Sequence, residues 1–182
     1  DCLRTCPALR AVLVVTSDKV YANRGDGEAF REDDPVGGDD PYSASKAACE
    51  IAAASFRECW FRPQGVALAT ARAGNVIGGG DWALDRLVPD IVRALEQGVP
   101  VELRYPNSIR PWQHVLDCID GYLTYVEALI DPIKPTPPDA LNFGPSLVAL
   151  PSVMAIAEKM NEALGSSRGW VRTEGEHPPE KS

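Results

Sequence analysis

The first apolar run of the chain, AVLVVT at 11–16, is short, continuous and rich in β-branched residues. A strand with one wet face would alternate apolar with polar positions, so an unbroken run predicts a strand buried on both faces of a parallel sheet. It ends abruptly in Ser17, Asp18 and Lys19. The segment YSASKAACEIAAASFRECWF at 42–61 is rich in alanine and free of glycine and proline, which predicts a long helix. VALATA at 66–71 is the next strand, and a glycine-rich loop follows at 74–80.

The same alternation continues. DRLVPDIVRALEQG reads as a helix capped by Asp85 and stopped by Gly98, with Pro89 tolerated only in its first turn, where a missing N–H costs little. VELR at 101–104 is a short strand, and residues 114–130 carry Val115, Ile119, Tyr122, Val126 and Leu129 at helical spacing, weakened slightly by Gly121. A proline-rich connection at 131–139 leads to ALNFG and LPSVMAIAEKMNEALG, one more strand and helix. The final EHPPEKS reads as unfolded or cut off. Strands alternating with helices, with little sign of hairpins and no internal repeat, predict an α/β fold with a Rossmann-like doubly wound parallel sheet.

Composition narrows the function classes. The chain has 182 residues, 45% hydrophobic and 24% charged, enough for an ordinary soluble domain with a real core. No apolar stretch approaches the roughly 20 residues of a membrane helix, and DCLRTCPALR lacks a signal-peptide pattern, so no membrane role and a cytoplasmic setting are expected. Cys2, Cys6, Cys49, Cys59 and Cys118 form no CxxC pair and only two histidines are present, so free thiols and no metal site are expected. A net charge of -8 and a pI near 4.8 repel a phosphate backbone and argue against nucleic acid. A small anionic ligand stays open, because it needs only a local cluster of arginines.

Tyr42 and Lys46 stand four residues apart near the start of the long helix, so both side chains emerge on one face. A free phenol titrates near 10, and a nearby ammonium favours the phenolate; a drop of three units needs roughly 4 kcal/mol. Taken alone, the pair fits an exposed couple on an amphipathic helix equally well, and Asp18 with Lys19 fits a solvated pair at a strand end. What links them is topology: ligand sites of open α/β sheets lie at the C-terminal ends of strands, where Ser17 and Asp18 stand.

On these residues the chain resembles the extended short-chain dehydrogenase/reductases. Ser17, Tyr42 and Lys46 match that family's Ser/Thr, Tyr and Lys set, and PYSASK is the form common among its nucleotide-sugar members. Four blocks in order, TSDKVYAN, GGDDPYSASKAACE, RAGNVIGGGDWALDRLVPD and RPWQHVLD, are similar to the CDP-glucose 4,6-dehydratase branch. The resemblance implies NAD as cofactor, CDP-glucose as substrate and a homodimer of the intact enzyme through the Tyr42 helix. It implies that Tyr42 takes the proton of the sugar 4-hydroxyl as hydride leaves C4, that Ser17 bonds the same oxygen, and that Lys46 supports the phenolate and holds the nicotinamide ribose. Both Tyr42 and Lys46 therefore count as cofactor-binding residues as well as catalytic ones.

Elimination of water across C5 and C6 then needs an acid and a base side by side, the positions of Asp18 and Lys19. Lys19 departs from the Asp–Glu pair of the dTDP-sugar enzymes and agrees with the CDP-sugar branch. It acts either as a neutral base or as a fixed charge that stabilises the enolate. For the substrate pyrophosphate the resemblance implies Arg110 and Asn75, with Arg86 close by. Arg104 and Arg72 are weaker candidates that fit surface salt bridges equally well. His114 is expected to be a packed or hydrogen-bonded structural residue.

One departure is large. The family's glycine-rich dinucleotide fingerprint is not in these 182 residues, and GGG at 78–80 follows a later strand without GxGxxG spacing. The resemblance thus implies a piece of a longer enzyme: 1–75 as the C-terminal half of the NAD-binding Rossmann domain, and 76–182 as a truncated, mainly nucleotide-sugar-binding region with interleaved elements, the smaller C-terminal part of the fold. Such a piece is expected to be inactive alone and to bind NAD weakly. Two other readings stand beside it, another nucleotide-sugar epimerase or dehydratase, and a non-catalytic remnant that binds nucleotide sugars or a partner subunit.

Overall fold

The computed structural model describes residues 2–25, 27–146 and 150–173. The terminal EHPPEKS lies outside the described residues. In chain order the elements are β1 (Ala11–Val15), α1 (Pro41–Phe56), β2 (Ala67–Ala73), β3 (Val76–Ile77), α2 (Leu87–Gln97), β4 (Val101–Leu103), β5 (Gln113–His114), α3 (Val115–Ile130), β6 (Ala140–Phe143), α4 (Val153–Ala163) and β7 (Trp170–Arg172). They fall into two units: residues 1–74 with 115–144, and residues 75–114 with 145–182.

The first unit holds a three-stranded parallel sheet in the order β1-β2-β6. Ala11 to Val15 pair with Ala67 to Ala71, and Thr70 to Ala73 pair with Ala140 to Phe143. Parallel neighbours need long crossovers, and α1 supplies the one from β1 to β2. This is a partial Rossmann-like sheet. Alternation along β2 puts Leu68, Thr70 and Arg72 on one side, where Leu68 joins a core with Ala53 of α1 and Phe61, five residues beyond that helix. The helix start is well specified: the Asp40 carboxylate accepts from the N–H groups of Tyr42 and Ser43 at 2.9 and 3.0 Å, and Pro41 occupies the first turn.

Two expectations for this unit need correction. β1 is only half-buried and Val15 is 49% exposed, because among the described residues β1 pairs on one edge only. In α3 the apolar stripe has the expected period but a shifted phase: Cys118 and Tyr125 are buried while Ile119 is exposed. Gly121, which weakened the helix reading, lies against the Phe143 ring, where an added Cβ would sit 2.8 Å from a ring carbon. Glycine here allows the helix to approach β6 closely.

In the second unit β3 runs parallel to β5 and β4 parallel to β7. Ile91, Val101, Leu103 and Ala157 form the core between α2, α4 and β4. Pro89 is buried at the third position of α2, and Gly98 ends that helix in the left-handed region at φ 68°. Asp85 does not cap α2. The flanking position is Arg86, with no side-chain cap, and Asp85 has φ 60° with its carboxylate 2.8 Å from Arg104 Nη2. Charge pairing outcompetes the capping preference there. The expected loop at 74–80 also contains the two-residue strand β3.

Candidate active site

At the C-terminal end of β1 the chain makes a tight turn at Asp18–Val20, and Ser17 caps it. The Ser17 hydroxyl accepts from the Lys19 N–H at 3.2 Å and donates to Asp18 Oδ1 at 3.0 Å. Val20 is fully buried and anchors the turn; its carbonyl accepts from the Gly37 N–H at 2.8 Å, and Tyr21 bridges Val36. The turn packs against α1, so the sequence-expected Ser17, Asp18 and Lys19 meet the helix that carries Tyr42 and Lys46. Tyr42 is 54% exposed, with the Lys46 ammonium 5.8 Å from its ring centroid. Beside them the Asp40 carboxyl is held below the usual range, chiefly by bonds from Ser43 and additionally by the Lys19 charge.

Beneath this surface lies a buried polar network. Glu50, two turns beyond Tyr42 on α1, accepts from Thr16 Oγ1 at 2.5 Å, Thr70 Oγ1 at 2.8 Å and Arg72 Nη2 at 2.8 Å. Burial pushes its carboxyl up, but these three bonds more than offset that and hold it below the ordinary range. Arg72 also donates to the Tyr21 hydroxyl at 2.9 Å and to the Glu32 carbonyl at 2.9 Å. Tyr21 donates onward to Asn142 Oδ1 at 2.5 Å and stacks on Phe30 at 4.8 Å. Arg72 is therefore a buried structural cation rather than a surface residue, because Glu50 neutralises it where both are 6% exposed.

The second unit carries the other expected residues. The Asn75 carbonyl accepts from the Gln113 N–H at 3.0 Å, and the β3–β5 pairing that follows sets the segments of Asn75 and Arg110 side by side. Arg110 is half-buried, and Trp112 Nε1 is buried without a hydrogen-bond acceptor among the described residues. Arg86 is exposed at the start of α2, and Arg104 is in the surface pair with Asp85. His114 is exposed at the end of β5, where it pairs with Ile77 of β3. Among the described residues no group of three His, Cys, Asp or Glu is placed to hold a metal, and no helix is long and apolar enough to cross a membrane.

A family model for the NAD dependent epimerase/dehydratase family matches residues 1–136. The chain belongs to that family. A CDP-glucose 4,6-dehydratase of Salmonella typhimurium is 44% identical over 177 residues, covering 94% of this chain and 49% of the relative. The fold matches a dTDP-glucose 4,6-dehydratase of Bacillus anthracis in complex with NAD, with TM-score 0.72 and 21% identity over 94% of this chain and 51% of the other. It also matches a UDP-N-acetylglucosamine 4-epimerase of Methanobrevibacter ruminantium, with TM-score 0.75 and 19% identity over 94% and 52% of the two chains. The chain thus spans about half the length of the relatives it matches.

Within this family member, sequence reasoning missed Glu50, Thr16, Thr70 and Tyr21. A signal for Glu50 was present: it continues the four-residue spacing of Tyr42 and Lys46 and so shares their helix face.

Proposed function

We propose that this chain is part of an NAD-dependent nucleotide-sugar 4,6-dehydratase that converts CDP-glucose into CDP-4-keto-6-deoxyglucose, acting as a cytoplasmic homodimer. The observation that carries this reading is the packing of the Ser17-Asp18-Lys19 turn against the helix of Tyr42 and Lys46, in a chain 44% identical to a CDP-glucose 4,6-dehydratase. Ile51, 63% exposed on α1, supports a role for that helix in dimer formation.

The exposed phenol of Tyr42 and the ammonium of Lys46 fit the ribose end of a nicotinamide cofactor, although the 182 residues hold no GxGxxG cradle for its pyrophosphate. NAD, when bound, supplies the acceptor and later the donor of hydride. Tyr42 removes the proton of the sugar 4-hydroxyl, and Ser17 turns its hydroxyl from Asp18 to the same oxygen. The resulting 4-ketone acidifies the C5 proton. Asp18 then protonates the departing 6-hydroxyl. Lys19, as a free amine, takes the C5 proton, and the ammonium so formed stabilises the enolate and later returns that proton to C5. Asn75, Arg110 and Arg86 hold the substrate pyrophosphate, with Arg104 a lesser contributor because Asp85 already pairs with it.

The test joins this chain to the portion of the Salmonella typhimurium relative that it does not cover. Incubation with CDP-glucose and NAD should give a carbonyl product lighter by one water, and Tyr42→Phe should lower the rate by about 10²-fold or more. A C4 epimer without loss of water, or no product, would overturn the dehydratase reading.

A further inference from the structure

Three features outside the catalytic groups stand out: the exposed apolar face of α3 at Leu116, Ile119 and Leu123, the shallow cleft by Arg4, Cys6 and Gln64, and the buried network around Glu50. Only the last connects to residues that do chemistry.

An acid on an alanine-rich helix is expected in solvent, yet Glu50 is 6% exposed and accepts its bonds from the side chains of Thr16, Thr70 and Arg72. Its donors come from β2 and from the residue that directly follows β1. Thr16 immediately precedes Ser17 at the end of β1, while Thr70 and Arg72 lie on β2. The backbone of Thr16 is tied to β2 as well, through its N–H to the Ala71 carbonyl at 2.8 Å. One carboxylate therefore fixes the helix carrying Tyr42 and Lys46 to the residue next to Ser17.

We propose that Glu50 is a positioning residue for the Ser17, Tyr42 and Lys46 set, its buried carboxylate locking the axial position and rotation of α1 against the C-terminal end of β1. The proposal rests on the dehydratase reading only for its catalytic meaning; the clamp itself is a property of this unit. Physical economy favours position over stability as the reason for the charge. A buried ion pair contributes little net stability compared with well-packed apolar residues, but it is directional, accepting only donors at the right places. Oxidation at C4 requires the phenol and the serine hydroxyl to reach one oxygen, and a misplacement near 1 Å can cost about 10²-fold in rate.

The experiment uses the 182-residue chain, labelled with 15N and with 13C at the tyrosine ring, and compares it with Glu50→Gln, Thr16→Val and Thr16→Ser. Glu50→Gln should shift the Tyr42 ring signal and speed amide exchange at Ser17 to Lys19 by about tenfold or more, while the Tyr125 ring signal stays in place. Unchanged signals at Tyr42 and at Ser17 to Lys19, with only overall stability lowered, would overturn the proposal. Should Glu50→Gln fail to fold, the threonine pair decides: Thr16→Val should move the same signals and Thr16→Ser should restore them, and equal behaviour of the two would also overturn it. In the joined enzyme Glu50→Gln should lower kcat by about 10²-fold with KM for CDP-glucose unchanged. An inactive joined wild type would sink the functional reading, while the signals in the chain alone still decide the clamp.

Discussion

Gly38 offers a direct test of how tightly the loop before α1 is packed on that helix. A Cβ built on Gly38 would lie 2.3 Å from the Ala44 backbone nitrogen, 2.5 Å from the Ser43 carbonyl carbon and 2.7 Å from the Ser43 Cβ. Two of these three atoms are helix backbone, so no rotamer change relieves the clash. Either the 37–40 loop or the first turn of α1 must move by several tenths of an ångström or more, and the first turn carries Tyr42. Overpacking of this kind costs roughly 1–3 kcal/mol, and a backbone partner places Gly38→Ala at the upper end, about 2–3 kcal/mol. For a chain of this length that is roughly 5–10 °C in Tm. The control is Gly79→Ala, because nothing lies within 4 Å of a Cβ there and its φ is not positive. Thermal unfolding followed by circular dichroism gives the stability, and amide exchange along α1 locates the strain. Gly38→Ala within about 0.5 kcal/mol of the control would refute the claim that loop and helix are in hard contact.

Four further outcomes are expected. Arg72→Met leaves Glu50 buried without its cation and should cost about 3–5 kcal/mol in urea unfolding, whereas loss of a surface pair would cost under about 1. Burial, with help from Asp139, pushes the Tyr125 phenol up to about 12. Its folded value exceeds the unfolded one near 10, so the stability it confers is whole below pH 10 and fades as pH rises towards 12; roughly 3 kcal/mol should be lost through this group, and Tyr125→Phe should reduce the change without abolishing it, because burial raises Tyr21 and Tyr122 as well. Calorimetric titration of the chain alone with NAD should show weak binding, and tight binding would refute the view that the missing fingerprint is needed. Lys19→Met in the joined enzyme should slow dehydration by about 10²-fold, and unchanged turnover would show that the amine is dispensable.

The elements that could be read from sequence are those whose pattern repeats over several residues. AVLVV, the alanine-rich stretch after Pro41 and LATA each carry enough consecutive positions to fix their type, and all three form the expected type of element, although α1 ends at Phe56 rather than Phe61 and β1 is not buried on both faces. Features decided by one competing contact could not be read. Asp85 is a good local cap, but Arg104, nineteen residues on, takes its carboxylate. β7 has three residues and is defined by pairing with β4, a relation with no periodic trace. α3 shows the intermediate case, since 3.6-residue spacing fixes that one face is buried but leaves the phase to the neighbour, here Phe143 against Gly121 and Tyr122.

The same distinction separates the two layers of the site. Ser17, Asp18, Lys19, Tyr42 and Lys46 were visible because their chemistry is unusual at a strand end and on one helix face. Glu50 was equally visible as a residue, but an acid in an amphipathic helix is ordinarily solvated, and only the parallel register of β1 with β2 reveals otherwise. Pairing Val14 with Thr70 and Val15 with Ala71 brings Thr16 beside Thr70 and Arg72, and three donors then converge on one carboxylate. A buried charge with three donors cannot slide without losing at least one of them, each bond to a charged group being worth about 1.5–3 kcal/mol. The helix that presents Tyr42 is therefore held by the sheet's register, a long-range property that no window of sequence contains.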